Sequence, residues 1–367
     1  MDLVYVYGLE LPNTAANSGA VLGLCDALAD LGHRVTLAHA GEAAAEADIR
    51  RDYDLDPAVR LRTVRIRAGF RHYPGMALEA LREAPGAVLI TRMPIVAAVA
   101  AMAGRPAILE MHQRFETARR WPFWRWGLVT VPRRRLAVAA LTPALVEDAR
   151  RDPFARRFPM EVIPSGAPDY GGPQARPQPD VDVGYLGSFK PGKGIELVAA
   201  LAAARPSVRF VVFGDPSANP DAAAELAALG NVELAGHVPR AGVAAALARF
   251  RIGLAPYGRA GFGGAPGTPF VSSDSLSSLK LVEYMSSGRA IISSAIPSVA
   301  AMVEDGASAL LCDPERLPDW LAALDRLLAD PGLVDRMAAA GRARFLADYT
   351  FRIRAERFAT LAASLRP

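Results

Sequence analysis

The feature that most constrains this chain is an alternation of short apolar runs with helical stretches. It occurs twice, once on each side of a stretch rich in proline and glycine. The first forty residues hold an apolar run at Leu3–Tyr7, a polar loop at Leu11–Gly19, a helical stretch at Ala20–Leu31, a stop at Gly32-His33 and a second run at Val35–Ala38. That order spells a βαβ unit. Runs at Val59–Ile66, Ala87–Thr91, Ala107–Glu110 and Ala137–Leu141 continue the pattern. Strands apolar along their whole length, separated by helices, predict a parallel sheet covered on both faces. Pro164 to Pro179 then carries no periodicity and reads as a linker. Beyond it, runs at Val181–Leu186, Arg209–Phe213, Val232–Leu234, Ile252–Ala255 and Ala290–Ser293 begin a second alternation, and a last helix starts near Phe351. The expected fold class is therefore α/β: two Rossmann-like doubly wound domains facing across a cleft, residues 1–170 and 171–350, with helix 351–367 packing back on the first.

Composition agrees with two domains. A chain of 367 residues that is 51% apolar exceeds the usual single core. A net charge of +4 drawn from both signs argues against a nucleic-acid binder, and no arginine stripe with RNA-type aromatic spacing occurs. Cys25 and Cys312 are far apart and lack metal-ligand spacing, so core thiols and a reducing cytoplasm are expected. No apolar run reaches the roughly 18 residues of a membrane span, and the start lacks a basic leader.

The cations are distributed unevenly. Thirty-nine are arginines and three are lysines: Lys190 and Lys193 in Gly187-Ser-Phe-Lys-Pro-Gly-Lys-Gly194, and Lys280 in Ser278-Leu-Lys-Leu-Val-Glu283. A compact ammonium sits against a phosphate as a point charge, a job that a planar guanidinium fork, which binds bidentately, does badly. The first motif follows a strand and opens a helix, so backbone N–H groups and two ammonium groups converge on one loop. Its Gly187-x4-Gly192-Lys193 spacing matches the start of a P-loop, but Gly194 stands where that motif needs a hydroxyl for magnesium, which disfavours a nucleotide triphosphatase. Taken alone, the loop is equally a Gly/Pro turn with two solvated lysines.

In the second motif, Ser272-Ser-Asp-Ser-Leu-Ser-Ser supplies N-caps to a helix from about Leu279 to Met285 that Gly288 ends. Unpaired N–H groups at Ser277, Ser278 and Leu279 would receive a pyrophosphate, and Lys280 and Glu283 stand at i, i+3. The plainer reading makes that pair a surface salt bridge worth under about 1 kcal/mol.

These motifs carry a resemblance. Gly187–Gly194, Leu279-Lys-Leu-Val-Glu-Tyr-Met-Ser-Ser-Gly-Arg-Ala-Ile-Ile292, the stretch from Ala295 to Leu311 and Tyr349-Thr-Phe-Arg-Ile-Arg-Ala-Glu-Arg-Phe358 resemble, in order and spacing, the C-terminal half of the family 4 retaining glycosyltransferases, which have the GT-B fold. Gly19, Gly32-His33, Thr91-Arg92, Ile108–His112, Leu141-Thr142 and Val162–Gly166 resemble the N-terminal half. The resemblance implies that Glu283 is the second acid of a Glu-x7-Glu motif and binds the ribose hydroxyls of a sugar nucleotide. It implies that Lys193, assisted by Lys190, holds the leaving diphosphate, and that His112 faces the sugar or acceptor. Gly19, Ser188, Gly236, His237, Val238, Ser275, Ser277, Ser278, Leu279 and Lys280 complete the implied donor site, with His237 contributing backbone near the base. Two departures stand out. Ser275, beside Asp274, replaces the first acid of the motif, and Ser188 stands where many relatives have an arginine.

The glycine-rich loop Tyr257–Val271 is long enough to cover a bound sugar, or simply to be disordered. Arg114 to Arg135 contains seven arginines and one acid among Trp121, Phe123, Trp124 and Trp126. That segment would either touch anionic lipid at the inner face of a membrane or bury its aromatics in a helix contact. Asp180-Val-Asp182 and Asp52-Tyr-Asp54 do not look like metal-binding turns, so no metal and no resident cofactor are expected.

The expected function is retaining transfer of a sugar from a nucleotide-diphosphate donor to a hydroxyl of a glycan, lipid-linked or small-molecule acceptor, in the cytoplasm. A nucleotide-sugar 2-epimerase and a catalytically silent sugar-nucleotide-binding protein remain as alternatives. A Rossmann dehydrogenase is disfavoured by the lack of Gly-x-Gly-x-x-Gly after the first strand.

Overall fold

The computed structural model describes residues 1–11, 13, 16–40, 46–53, 61–66, 73–114, 131–153, 155–172, 179–262 and 271–365. The chain divides into two compact units, Met1–Gly166 with Phe351–Pro367, and Ala167–Thr350.

In the first unit, strands β1 (Asp2–Glu10), β2 (Arg34–Ala40), β3 (Leu61–Ile66), β4 (Val88–Thr91), β5 (Ala107–Met111), β6 (Leu136–Ala140) and β7 (Met160–Val162) form one sheet in the order β3-β2-β1-β4-β5-β6-β7. All of its pairings are parallel. Helices α1 (Ala16–Asp30), α2 (Glu46–Tyr53), α3 (Tyr73–Glu83), α4 (Pro94–Met102) and α5 (Pro143–Arg151) connect them. The period of two along β1 sends Val4 and Val6 to a core with Met76 and Ala77 of α3 and Val96 and Ala97 of α4. Leu3, Tyr5 and Tyr7 go to the opposite core, with Val21, Leu24 and Leu28 of α1 and with Phe358 and Leu361 of the C-terminal helix Phe351–Ser364. That helix seats closely because α1 offers no side chain at Gly23: a Cβ there would come within 2.2 Å of the Phe351 ring.

In the second unit, β8 (Val181–Leu186), β9 (Phe210–Phe213), β10 (Val232–Gly236), β11 (Phe250–Ala255), β14 (Ala290–Ser294) and β15 (Leu310–Cys312) form a parallel sheet in the order β10-β9-β8-β11-β14-β15. A two-stranded antiparallel ribbon joins β12 (Gly261–Phe262) to β13 (Val271–Ser272). The helices are α6 (Ile195–Ala204), α7 (Pro220–Ala227), α8 (Val243–Ala248), α9 (Leu279–Ser286), α10 (Pro297–Ala300), α11 (Leu317–Ala329) and α12 (Pro331–Asp348). Val183 and Tyr185 pack with α6 and with Trp320 and Leu324 of α11, whereas Phe250, Leu281 and Tyr284 lie in the core on the other side.

The boundary between units falls after Gly166 rather than at 170. Local bonding explains the difference. The Ala167 amide donates to Tyr349 O at 3.1 Å, Tyr170 N donates to Ser286 Oγ at 3.0 Å, and Ser286 Oγ donates to Pro168 O at 2.6 Å, so residues 167–170 are tied to the second unit. β7 and β15, three residues each, were not legible in the sequence, because three residues display no period. Residues 59 and 60 of the expected third run lie outside the described residues, and β3 begins at Leu61. Cys25 and Cys312 are buried and unbridged, with burial pushing the Cys312 thiol up to about 12. No described helix is long and apolar enough to cross a membrane.

Candidate active site

In the second unit the strand order reverses between β8 and β11. The crevice at the carboxyl ends of strands at such a switch point is where open α/β sheets bind ligands. The loop after β8 is shaped by glycines that a side chain would spoil. Gly194 holds φ +74° as the N-cap of α6, and a Cβ there would lie 2.5 Å from Pro256 Cβ. A P-loop serine or threonine cannot occupy that position. The Gly258 amide, following β11, donates to Gly192 O at 3.0 Å and ties the two switch-point loops together.

Two of the three lysines converge here. Lys193 Nζ lies 5.5 Å from the centroid of the Tyr257 ring. Lys280 Nζ lies 3.7 Å over the Tyr185 ring and 5.4 Å from that of Tyr257. Lys190 is exposed, and its amide donates to Ser188 Oγ at 3.2 Å, so Ser188 spends its hydroxyl on the loop itself. Burial, and secondarily the charge of Lys190, pushes the Lys193 ammonium down to about 8. Lys280 is 8% exposed and has no hydrogen-bond acceptor among the described residues. Burial first and the Lys193 charge second hold it well below the ordinary lysine range, against an opposing pull from Glu283.

Helix α9 is pinned to the strand ends by Tyr284, which packs edge-on against Phe250 at 5.7 Å, donates to Leu254 O at 3.1 Å and accepts from Leu186 N at 2.9 Å. Ser278 caps the helix by accepting from Leu281 N at 3.1 Å, and its hydroxyl also bonds the Tyr257 phenol. Ser278 is thus committed to the cap, and the amides of Leu279 and Lys280 begin the helix with no intrahelical acceptor. Ser275 is buried in a single 3-10 turn, and its hydroxyl donates back to Ser272 O at 3.2 Å. Ser277 is half-buried ahead of the cap.

Glu283 is buried, and Oε1 accepts from Arg240 Nη1 at 2.6 Å. Arg240 opens the short turn after β10, directly beyond Gly236, His237 and Val238. Gly236 has φ +75°, and its carbonyl accepts from Gly214 N at 2.8 Å. His237 is exposed and Val238 half-buried, so Arg240 is the residue by which that segment reaches the α9 carboxylate. Arg240 was missed in the sequence. Its place after Pro239, in a loop already marked, was the available signal.

In the first unit a second charged group gathers at the ends of β4 and β5. Glu110 is fully buried and accepts from the Tyr5 phenol, from Arg92 (Nε and Nη2, both at 3.3 Å) and from Arg354 of the C-terminal helix. Burial opposes its ionisation, but Arg92 and Arg354 outweigh that and hold the carboxyl well below the usual range. His112 Nε2 stands 2.9 Å from Glu110 Oε1. The His112 side chain is 26% exposed. Burial and the neighbouring Arg92 push it down to about 4, against the pull of Glu110. Gly19 is buried in α1 next to Ser18, whose hydroxyl bonds Tyr7 and Asn13 at 2.7 Å each. Arg92 and Arg354 had been quoted only as parts of motifs, because the pairing of Arg354 with Glu110 spans 244 positions.

Residues 115–130 and 263–270 lie outside the described residues, and with them most of the Arg114–Arg135 segment and the middle of the Tyr257–Val271 loop. Among the described residues no three His, Cys, Asp or Glu side chains group as a metal site.

Residues 180–330 match the family model described as "Glycosyl transferases group 1". A D-inositol 3-phosphate glycosyltransferase of Mycobacterium ulcerans is 30% identical over 183 residues, 46% of this chain and 36% of that protein; one from Mycobacterium marinum matches equally. The matched stretch therefore spans about a third of those relatives. Among solved structures, Anabaena Alr3699/HepE in complex with UDP and glucose superposes with a TM-score of 0.70 at 13% identity, covering 98% of this chain and 99% of that one. Sucrose-phosphate synthase from Thermosynechococcus elongatus superposes with 0.72 at 18% identity, covering 100% and 99%. The two parallel-sheet units are those of the GT-B glycosyltransferase fold.

Proposed function

We propose that this chain, whose residues 180–330 are a group 1 glycosyl transferase domain, transfers a sugar from a nucleoside-diphosphate donor to an acceptor hydroxyl with retention of anomeric configuration. One observation carries the reading. In a chain with 39 arginines, two of the three lysines stand at the switch-point crevice beside the start of α9, with Glu283 one turn further along the same helix. Ammonium groups and helix-end amides recognise a diphosphate, and a carboxylate accepts from ribose hydroxyls. Solved neighbours of the same fold hold UDP with glucose, UDP-glucose, or UDP with a sugar ligand, which supports a nucleotide-sugar donor.

In this reading the bond from the sugar C1 to the diphosphate breaks while Lys193 and the α9 amides meet the charge developing on the leaving oxygen. The acceptor oxygen bonds C1 on the same face, and its proton passes to a diphosphate oxygen. His112 is neutral above about 4, so at neutral pH it offers a hydrogen-bonding imidazole rather than a cation to whatever the first unit binds. The positive charge at the leaving group comes from lysine and amide, with no metal assigned. The product is a glycoside of a glycan, lipid-linked or small-molecule acceptor.

The Ser275 hydroxyl, turned back into its own loop, favours a second reading in which donor is bound but not turned over. An epimerase reading is weakened because Glu110, held ionised by two guanidiniums, is a poor proton acceptor. Incubation with UDP-glucose, GDP-mannose, ADP-glucose or TDP-glucose, followed by NMR, tests all three. Release of nucleoside diphosphate, dependent on Lys193 and Glu283, supports transfer. Binding without release supports the silent reading, and no binding overturns both.

A further inference from the structure

Lys280 is held unlike any solvated lysine. It carries three N–H donors when charged, yet its Nζ is buried and meets no acceptor among the described residues. A buried charge without hydrogen bonds is costly, and the amine avoids that cost by releasing its proton. The groups that face it come from every element around it. Tyr185 of β8 lies under the amine, Tyr257 stands beyond β11, and Lys193, whose charge acts on it, belongs to the loop after β8. On its own helix Glu283 has Oε1 engaged by Arg240, while the Tyr284 phenol is bonded to backbone. The amine also lies against the loop backbone: a Cβ added at Gly187 would stand 2.9 Å from Lys280 Cε and 3.0 Å from Nζ.

We propose that Lys280 is a proton-linked contact of the donor: a neutral amine in the unliganded protein, it takes one proton from solvent as the dianionic diphosphate seats and then donates to a phosphate oxygen. The inference rests on the donor-site reading given above. The diphosphate supplies the acceptor that Lys280 Nζ does not find among the described residues, and a negative charge beside it. Lys193, held near 8, is already mostly charged at pH 7, so Lys280 is the group that accounts for uptake at neutral pH. The Tyr185 face adds cation–π attraction once the ammonium forms.

The test is calorimetric titration of the full chain at pH 7 with UDP-glucose, GDP-mannose, ADP-glucose and TDP-glucose. Each is run in PIPES and in Tris, whose ionisation heats differ. These donors are diphosphate diesters that do not titrate near neutrality, so buffer-dependent heat reports protons taken by the protein. The expected result is uptake of about one proton with the best donor, and an affinity that falls about tenfold per pH unit above neutrality. Lys280→Met and Lys280→Gln, which cannot titrate, should bind at least tenfold more weakly with the uptake gone. Binding without buffer-dependent heat, or uptake that persists in both variants, overturns the proton link and leaves the donor site standing. Failure of all four donors to bind overturns the donor-site reading and this inference with it.

Discussion

Arg240 and Glu283, 43 positions apart, meet at 2.6 Å through a single guanidinium nitrogen and a single carboxylate oxygen, with side-chain exposures of 18% and 9%. The contact engages Oε1, and in the proposed reading Oε2 is the oxygen that accepts from a ribose hydroxyl. Arg240→Ala should therefore weaken donor binding about tenfold, roughly 1.4 kcal/mol, while kcat changes little. It should also cost on the order of 1–3 kcal/mol of stability, because a nearly buried carboxylate loses its partner. An unchanged Kd for the best-binding donor would refute the positioning role.

Lys193 should set an alkaline limb. Its ammonium, held near 8 by burial and by Lys190, is charged below that pH and neutral above it. Donor-dependent turnover should be present at pH 7 and lost as pH rises through about 8. Removing the like charge with Lys190→Met should move the limb upward. Lys193→Ala should lower kcat by on the order of 100- to 1000-fold, about 3–4 kcal/mol at the transition state. A pH–rate profile for the three proteins checks the sign and the shift.

His112 should make the protein acid-sensitive. The unfolded histidine takes a proton below about 6.5, whereas in the fold it resists protonation until about 4. Between those values the unfolded state binds more protons, so stability falls as pH drops from 6.5 to 4. The loss is on the order of 1–3 kcal/mol. His112→Gln should flatten that part of the curve, read as the urea midpoint against pH. A parallel slope in the variant would assign the sensitivity elsewhere.

Glu110→Gln should be among the most damaging single changes in the first unit. It leaves Arg92 and the buried Arg354 without their counter-charge, a loss of about 3–5 kcal/mol. Adding Arg354→Leu should recover part of it by removing one stranded guanidinium. Urea unfolding of the single and double variants gives the comparison; a double variant no better than the single one would argue against charge as the cause.

Gly194→Ala should disturb the loop after β8. The left-handed φ of +74° and the approach to Pro256 together cost about 2 kcal/mol or more. Weaker donor binding with the far β15 edge unaltered, read by hydrogen exchange, is the expected pattern.

The apolar runs spelled out β1, β2, β8 and β11, because strands buried on both faces need side chains that any neighbour can cover. The site was partly legible for a similar reason. Lys193, Lys280, Ser278 and Glu283 sit in two contiguous motifs whose loop and helix ends are set by local residues such as Gly194 and Ser278. The Arg240–Glu283 and Glu110–Arg354 pairs were not legible, since each joins elements that only the strand order brings together.

The class of fold, the two alternations of strand and helix, and the glycine- and lysine-bearing loop Gly187–Gly194 proposed to hold phosphate are written in periods and spacings within a few turns of chain. Only the tertiary structure decided which charges are satisfied. It turned Ser275 into its own loop, set Arg240 on Glu283, enclosed Glu110 between two guanidiniums and left Lys280 without an acceptor among the described residues. Burial and pairing govern the charge state of an ionisable group, and both are properties of the surroundings that folding assembles.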